Sequence, residues 1–283
     1  MAITLDLMEL DGKATPEAVA AEIFRQNPSV PLPVQVEEIA SAAGILGIQP
    51  LTTDGFEGML ISNPEKSEGT IFVNQNRPPQ RRRFTIGHEV GHFLLPWHRN
   101  MEDGSLKFQC TTEDMRAGGS AVPNSRMDWE IQANIFSSEV LMPRALFKKQ
   151  MKRADEPDMK HVKELSLLFD TSLEATARRY VLLSDYPIAM VFALGNKVRH
   201  AWTGPEFPYF LDARKGSALP RDSQSCTDGP DDTVAEFEYI DSHWWINADR
   251  GPRPPDRILE QTLYQREGYR VVMLFAESAP EDE

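Results

Sequence analysis

Apolar residues near the N-terminus recur every three or four positions, a spacing typical of amphipathic helices. In residues 15–27 this spacing follows Thr15, a favoured N-cap, and Pro16, which suits the first helical position. A second helix is predicted from residue 34 to about residue 43, because Gly44 follows it and glycine commonly ends helices. We therefore expect two short helices before the first strand.

Three runs of apolar and β-branched residues then predict short strands. They cover residues 45–51, 58–62 and 70–74. A polar segment with asparagine, proline and glycine separates the last two runs, which favours a hairpin.

Helical spacing returns in residues 79–95 and 128–143. Pro78 and Pro79 lie at the start of the first segment, Pro96 follows it, and Pro143 ends the second. Proline is tolerated at a helix start but not inside a helix. Asp128 is a suitable N-cap for the second helix. Residues 97–127 are polar and have no clear period, so we expect a long loop between the two helices.

The second half of the chain changes from helices to strands. Residues 156–185 contain two helical patterns joined by a tight turn, with Thr171 and Glu174 in the positions of a capping box. From residue 186 onward the apolar runs predict strands, with a turn signal at Gly195 and Asn196. A further helix is predicted at residues 256–266, before the last strand.

These elements predict an α+β protein with three parts, residues 1–155, 156–185 and 186–283. The chain has 283 residues, of which 41% are hydrophobic and 26% charged, as in ordinary globular proteins with a sizeable core. No apolar run approaches the roughly 18 residues that a membrane span requires. We therefore expect no membrane segment.

Charge and cysteine content narrow the choice of function. The formal net charge of -13 argues against a protein that coats nucleic acid. Two cysteines, Cys110 and Cys226, are too few for a disulfide framework and fit a reducing compartment. The first 17 residues lack a basic segment followed by an apolar one, so we expect no signal peptide and a cytoplasmic protein.

The strongest chemical signal is the segment HEVGH at residues 88–92. His88 and His92 are four residues apart, so on a helix they lie on one face and can bind the same metal ion. Glu89 would stand beside that face, where it can act as a general base toward water. Two imidazoles, a carboxylate base and an open coordination position are what a zinc peptidase needs. The motif fixes only three positions and also occurs by chance in helices that bind no metal.

A third metal ligand is expected from the helix at residues 128–143. Glu130 is the best candidate, and Asp128 and Glu139 are weaker ones. Asn134, one turn after Glu130, could orient a ligating histidine. Taken alone, a glutamate such as Glu130 is more often a solvated surface residue.

Two blocks of the sequence, RRRFTIGHEVGHFLL and EIQANIFSSEVLMP, resemble the signatures of the ImmA/IrrE family of metallopeptidases. The family pattern is R-F-T-x-A-H-E-x-G-H followed by E-x-x-A-N-x-F-A-x-x-L-L-M-P, and the resemblance covers about residues 15–143. The sequence departs from it at Gly87, where alanine is common, at Ser137 and at Val140. The long segment between the blocks is a larger departure.

The resemblance implies that His88, His92 and Glu130 bind the metal and that Glu89 is the general base. Zinc suits these ligands, and manganese or iron can occupy the same set. The resemblance also implies a zincin-like peptidase domain at residues 1–155.

Longer family members continue with a helix-turn-helix-like unit, here residues 156–185, and a GAF-like domain, here residues 186–283. Family members cleave helix-turn-helix transcriptional repressors, in stress responses or in the control of mobile elements. The implied partners are a repressor as substrate and a small-molecule signal at the C-terminal domain.

A second function stays open, that of a non-proteolytic, metal-containing regulator that acts by binding protein or DNA. The presence of Glu89 argues against it, because a non-catalytic relative would be free to lose this carboxylate. Ser172, Glu174 and Thr176 at the start of the second helix suit base contacts poorly, and Glu174 would repel phosphate. We therefore expect no DNA binding.

Three smaller hypotheses concern side chains outside the motif. A thiolate of Cys110 could occupy the open metal position and hold the enzyme inactive, although an ordinary reduced cysteine is the simpler interpretation. His98 is a candidate donor to an oxyanion. Three tryptophans of the C-terminal part could line a ligand pocket or fill a core: Trp202, Trp244 and Trp245.

Overall fold

A computed structural model of the protein divides into two compact units. The N-terminal unit contains residues 1–147 and 168–172, and the C-terminal unit contains residues 148–167 and 173–283. The structure describes residues 3–53, 55–99, 101–102, 105–112, 114 and 125–276. Among the described helices, none is long and apolar enough to span a bilayer.

The N-terminal unit packs four helices against a five-stranded sheet. The helices are α1 (Pro16–Gln26), α2 (Val36–Ala43), α3 (Pro79–Leu94) and α4 (Ser125–Leu141). The strands are β1 (Ile45–Leu51), β2 (Gly58–Ser62), β3 (Gly69–Asn74), β4 (Met101–Glu102) and β5 (Ser105–Cys110). Their order is β1-β3-β2-β5-β4, and only the β1–β3 pair is parallel among the described strands.

The predicted caps at Thr15 and Gly44 and the predicted hairpin are confirmed. The Thr15 hydroxyl accepts a hydrogen bond from the amide of Ala18 at the start of α1. Gly44 ends α2 with φ of +111°, in the left-handed region where glycine is favoured. Strands β2 and β3 pair antiparallel, with Leu60 opposite Ile71. The predicted N-cap at Asp128 is wrong, because α4 begins at Ser125 and Asp128 lies in its first turn.

The long loop predicted at residues 97–127 is wrong in part, because β4 and β5 lie within it. In β5 the side chains of Leu106, Phe108 and Cys110 are buried, and the residues between them are partly exposed. This alternation with period two is typical of a half-buried strand, and β5 pairs with β2 from Leu106 to Cys110. Polar neighbours hide the short pattern in the sequence. Residues 115–124 lie outside the described residues.

The N-terminal end of α3 carries three arginines, which the positive end of a helix dipole disfavours. Carboxylates compensate for this charge. Glu57 lies 3.3 Å from the guanidinium of Arg81, and Asp170 lies 3.2 Å from that of Arg83. These ion pairs fix the start of α3 against β2 and against the segment 168–172.

Helices α3 and α4 approach each other closely through small residues. A Cβ atom on Gly87 would lie 2.6 Å from Ser137 Oγ, and one on Gly91 would lie 3.1 Å from the ring of Phe136. Ser137 Oγ donates a hydrogen bond of 2.8 Å to the carbonyl of Phe84. The two departures from the family pattern, at positions 87 and 137, therefore contact each other: the added hydroxyl occupies the space of the missing methyl group.

Three more helices follow along the chain. They are α5 (Arg144–Met151), α6 (Met159–Phe169) and α7 (Leu173–Leu183). The strands of the C-terminal unit are β6 (Ile188–Leu194), β7 (Lys197–Thr203), β8 (Glu238–Asp241), β9 (Arg257–Tyr264) and β10 (Tyr269–Phe275). They form an antiparallel sheet in the order β7-β6-β10-β9-β8.

The helix predicted at residues 256–266 is wrong, because this segment is strand β9. It lies between β8 and β10 and is buried on both faces, so it lacks the alternation that marks a half-buried strand. Its polar residues are buried too. Glu260 accepts hydrogen bonds from Ser223 and Trp245, and Gln261 accepts one from the amide of Met159. Tertiary pairing outweighs the local helix propensity of this segment.

We expect a double-mutant cycle to show that positions 87 and 137 are coupled. Gly87→Ala alone should lower the free energy of unfolding by about 1–2 kcal/mol, because the methyl group displaces the Ser137 hydroxyl. Ser137→Ala alone should cost about 1 kcal/mol through its lost hydrogen bond. The double variant should lose less free energy of unfolding than the two single losses added together, since alanine fills the space without the hydroxyl and is also the better helix former. Urea denaturation measures all four proteins, and strictly additive losses would contradict the coupling.

Candidate metal centre

Helix α3 places two imidazole rings on its buried face. His88 and His92 are both 0% exposed, and their Nε2 atoms lie 3.1 Å apart. The rings can stand side by side because residues four apart on a helix lie one above the other. The His92 ring also stacks on Phe108 of β5, with centroids 4.3 Å apart.

Helix α4 brings the carboxylate of Glu130 to the same place. Its Oε2 lies 3.1 Å from His88 Nε2 and 3.5 Å from His92 Nε2. Donor atoms held tetrahedrally at about 2.0–2.1 Å from zinc stand about 3.3 Å apart, so the three separations fit one ion. The structure thus brings together the three ligands expected from the sequence, and Glu130 is the carboxylate at this place rather than Asp128 or Glu139.

The electrostatics of the described groups suit a cation. Burial lowers the pKa of His92 to about 4, which keeps its imidazole neutral. Burial would raise the pKa of Glu130, but its contacts with His88 and His92 outweigh burial and hold that pKa well below its usual range. Neutral imidazoles and an ionised carboxylate are the states in which these groups bind metal.

The Nδ1 atom of His88 has its own partner on α4. It lies 2.9 Å from Asn134 Oδ1, while the amide nitrogen of Asn134 donates to the carbonyl of Asp114 at 3.0 Å. The amide oxygen can only accept, so the proton of His88 is on Nδ1 and Nε2 is left with a lone pair for a metal. Asn134 therefore orients His88, as the sequence predicts.

A second chain of hydrogen bonds fixes the proton position and the orientation of the His92 ring. Its Nδ1 lies 2.9 Å from His98 Nδ1, and His98 Nε2 lies 3.0 Å from Gln132 Oε1. Because the Gln132 oxygen can only accept, His98 carries its proton on Nε2 and accepts from His92 through Nδ1. This arrangement leaves His92 Nε2 unprotonated toward Glu130.

The suggestion that His98 donates to an oxyanion is wrong. Both of its ring nitrogens have partners, in His92 and Gln132, and its side chain is 0% exposed. Burial and the neighbouring His92 lower its pKa to about 3, so it is a neutral imidazole. His98 is a positioning residue for His92. Its role was missed in the sequence because the contact depends on the turn after α3, where its amide donates to Leu95.

Glu89 is buried beside these groups with an unsatisfied carboxylate. Neither of its oxygens has a hydrogen-bond partner among the described residues. Burial, followed by the charges of Glu130 and Asp114, raises the pKa of Glu89 well above its usual value. An orphaned buried carboxylate is costly, and a bound cation or a water held by that cation would relieve the cost.

Cys110 is part of this centre and not of a loop. It is the last residue of β5 and is 1% exposed. Ligand atoms of His88, Cys110 and Glu130 all lie within 4.8 Å of one another. Burial and the acidic neighbours, Glu89 first among them, raise the pKa of the Cys110 thiol.

Lys66 holds the C-terminal end of α3. Its ammonium donates hydrogen bonds of 2.7 Å to the carbonyls of His92 and Leu95. The last carbonyls of a helix lack partners within the helix, and the Lys66 amino group satisfies two of them although burial lowers its pKa to about 7. Lys66 lies in the turn between β2 and β3, so this contact ties the metal-site helix to the hairpin. The sequence carries no signal for it.

A family model matches the part of the chain that contains this geometry. Residues 50–180, which contain His88, His92 and Glu130, match the IrrE N-terminal-like domain, peptidase family M78. The chain carries a domain of the ImmA/IrrE metallopeptidase family. The match begins at the end of β1 and continues into α7, so it includes the helices and strands that surround the centre.

Two known proteins are similar to the chain that carries this ImmA/IrrE domain. The radiation response metalloprotease IrrE of Deinococcus radiodurans is 24% identical over 132 residues, which are 46% of this chain. The match spans 35% of the length of that relative. The solved structure of a Mycobacterium tuberculosis transcriptional regulator has a TM-score of 0.51 and 12% identity, and the alignment covers 92% of this chain and 87% of that one. At this identity the likeness shows the fold alone.

We expect His98→Ala to weaken zinc binding by about 10–100-fold, because His92 loses the partner that fixes its tautomer and ring orientation. Competition with a chromophoric zinc chelator measures the dissociation constant. His243→Ala, a histidine of the C-terminal unit, is the matched control and should leave the constant unchanged. A wild-type affinity in His98→Ala would show that the contact does not position His92.

Proposed function

We propose that the protein is a metal-dependent, site-specific endopeptidase. The observation that carries this proposal is the convergence of His88, His92 and Glu130 within 3.5 Å of one another, beside the unpartnered carboxylate of Glu89. Zinc is the metal that this ligand set suits best, and manganese or iron are the alternatives.

In this mechanism Glu89 moves the protons. When bound, a divalent metal ion supplies Lewis acidity, which polarises a peptide carbonyl and lowers the pKa of water toward about 7. A cation near Glu89 favours the ionised carboxylate, the form that accepts a proton from attacking water. Glu89 then returns the proton to the leaving amine. His88, His92 and Glu130 stay in place, because each is held by partners on α3, α4 or the turn after α3.

The sheet offers a place for an extended substrate. Strand β4 pairs only with Ser105 and Leu106, so among the described strands residues 108–110 pair with β2 alone. The open edge of β5 leads to Cys110 and therefore to the metal centre. A peptide that adds to this edge as a further strand would bring its backbone to the metal and Glu89.

We propose a helix-turn-helix transcriptional repressor as the substrate, cleaved at an exposed loop to derepress stress-response or mobile-element genes. Support comes from the ImmA/IrrE domain and from the similarity to a relative named as a radiation response metalloprotease. The cytoplasm, where such repressors act, is the proposed location. The free state of both cysteines, Cys110 and Cys226, fits a reducing compartment.

The division of the chain into peptidase, helix-turn-helix-like and GAF-like parts stays a prediction, as does a small-molecule signal. Trp245 fills the core of the C-terminal unit, where it donates to Glu260 at 2.7 Å. Trp202 is 38% exposed, and the guanidinium of Arg178 lies 4.0 Å above its ring. The contacts of these two tryptophans therefore favour structural roles over a ligand pocket.

The rival function is that of a metal-containing regulator that acts by binding, a role that the similar M. tuberculosis protein suggests because it is named a transcriptional regulator. Direct DNA binding by α7 is disfavoured by its side chains. Thr176 is 0% exposed, and Glu174 contacts Arg199 and His200 at 2.9 and 3.1 Å. Burial would raise the pKa of Glu174, but these two partners lower it to about 2, so its charge would repel phosphate.

We expect Glu89→Gln to abolish cleavage while leaving metal binding intact. Loss of a general base typically costs about 10²–10⁴-fold in rate. The zinc-loaded protein is incubated with the repressor encoded beside its gene, and mass spectrometry identifies the fragments. Glu17→Gln, an exposed glutamate of α1, is the matched control and should cleave like the wild type. Undiminished cleavage by Glu89→Gln would remove the assigned base, and zinc binding without cleavage by the wild type would favour the regulator.

A further inference from the structure

Cys110 lies beside two of the expected metal ligands, His88 and Glu130. Its sulfur is within 4.8 Å of the ligand atoms of His88 and Glu130, and the side chain is buried at the end of β5. A zinc-bound thiolate and imidazole stand about 3.6 Å apart in a tetrahedral site, so ligation requires the sulfur to move toward the ion. Rotation about the Cα–Cβ bond is the movement that a cysteine on a fixed strand can make.

The backbone around Cys110 is held in place on both sides. Its carbonyl accepts a hydrogen bond of 2.9 Å from the amide of Glu57, within the β2–β5 pairing. The Glu57 carboxylate in turn accepts from the hydroxyl of Thr112 at 2.6 Å. A rigid strand therefore carries the thiol to the centre.

The segment after Cys110 is joined to a metal-ligand contact. Asp114 accepts hydrogen bonds from the amide and the hydroxyl of Thr111 at 2.8 and 2.7 Å. The carbonyl of Asp114 accepts from Asn134, whose oxygen contacts His88. The same amide thus orients a ligating imidazole and the chain that presents the thiol, as expected if both belong to one coordination site.

We propose that Cys110 is the fourth ligand of the resting metal centre and that peptide cleavage requires its release. This inference rests on the proposed peptidase function and adds a means of regulation. Metal sites with four protein ligands are closed, whereas catalytic sites keep one position open for water. On ligation the thiol gives its proton to solvent, and the sulfur takes the position of a water molecule. On release the thiol regains a proton and water returns.

Cobalt substitution tests the ligation without any assay of activity. Cobalt(II) bound to a thiolate absorbs strongly in the near ultraviolet, and cobalt(II) bound only to nitrogen and oxygen does not. We expect the band in the wild type and its loss in Cys110→Ala and in the isosteric Cys110→Ser. Cys226→Ala, the other free cysteine, is the matched control and should keep the band. Circular dichroism of each variant checks the fold. A wild-type spectrum without the band overturns the proposal.

The cleavage assay tests the inhibitory role separately. At saturating zinc we expect Cys110→Ala to cleave the repressor at least about tenfold faster than the wild type, because its open position is always available. Equal rates would overturn the resting-state inhibition, even with the expected spectra. If neither protein cleaves while the band behaves as expected, the ligation is upheld and the proposed peptidase function is the part that fails.

Discussion

The close packing of α3 against α4 is the constraint on which the metal centre depends. Gly87 and Gly91 leave no side chain between the helices, so the backbone of α4 comes near enough for Glu130 to reach the imidazoles of α3. A methyl group at either glycine meets a side chain of α4 at 3.1 Å or less. Separation of the helices by the width of a methyl group would move the carboxylate out of the range in which it and two imidazoles share one ion.

This packing buries polar groups, and each one needs a partner inside the protein. His88 contacts Asn134, and His92 contacts His98, which in turn contacts Gln132. In both cases the last partner is an amide oxygen, which accepts but never donates, so the proton positions on the rings are determined. The unprotonated Nε2 atoms of His88 and His92 both face Glu130. Glu89 is the exception, with no described partner, and an unsatisfied buried group of this kind is typical of a functional site.

The metal-site helix and its histidines could be predicted from the sequence, whereas strands β5 and β9 could not. Helix α3 is bounded by prolines, and its histidines share a face by helical geometry alone, so both are visible in the sequence. Glu130 was favoured over the weaker candidates Asp128 and Glu139 from its place on the helix, and the family pattern agrees with that choice. Strand β5 was missed because its alternation is short and lies among polar residues. Strand β9 was missed because Glu260 is buried through hydrogen bonds that exist only in the folded chain.

In the proposed mechanism, strand β5 would connect substrate binding and the state of the metal centre through one backbone. Among the described strands only β2 pairs with residues 108–110, so an extended peptide could pair at their other edge, and the last residue of β5 is Cys110. A peptide that pairs there adds hydrogen bonds to the strand and brings its own carbonyl toward the metal, where it competes with the sulfur for one position. The energy for release of the thiol would then come from substrate binding. A protein that cannot form the added strand would leave the centre closed, so the same contact that recognises the substrate would restrict cleavage to it.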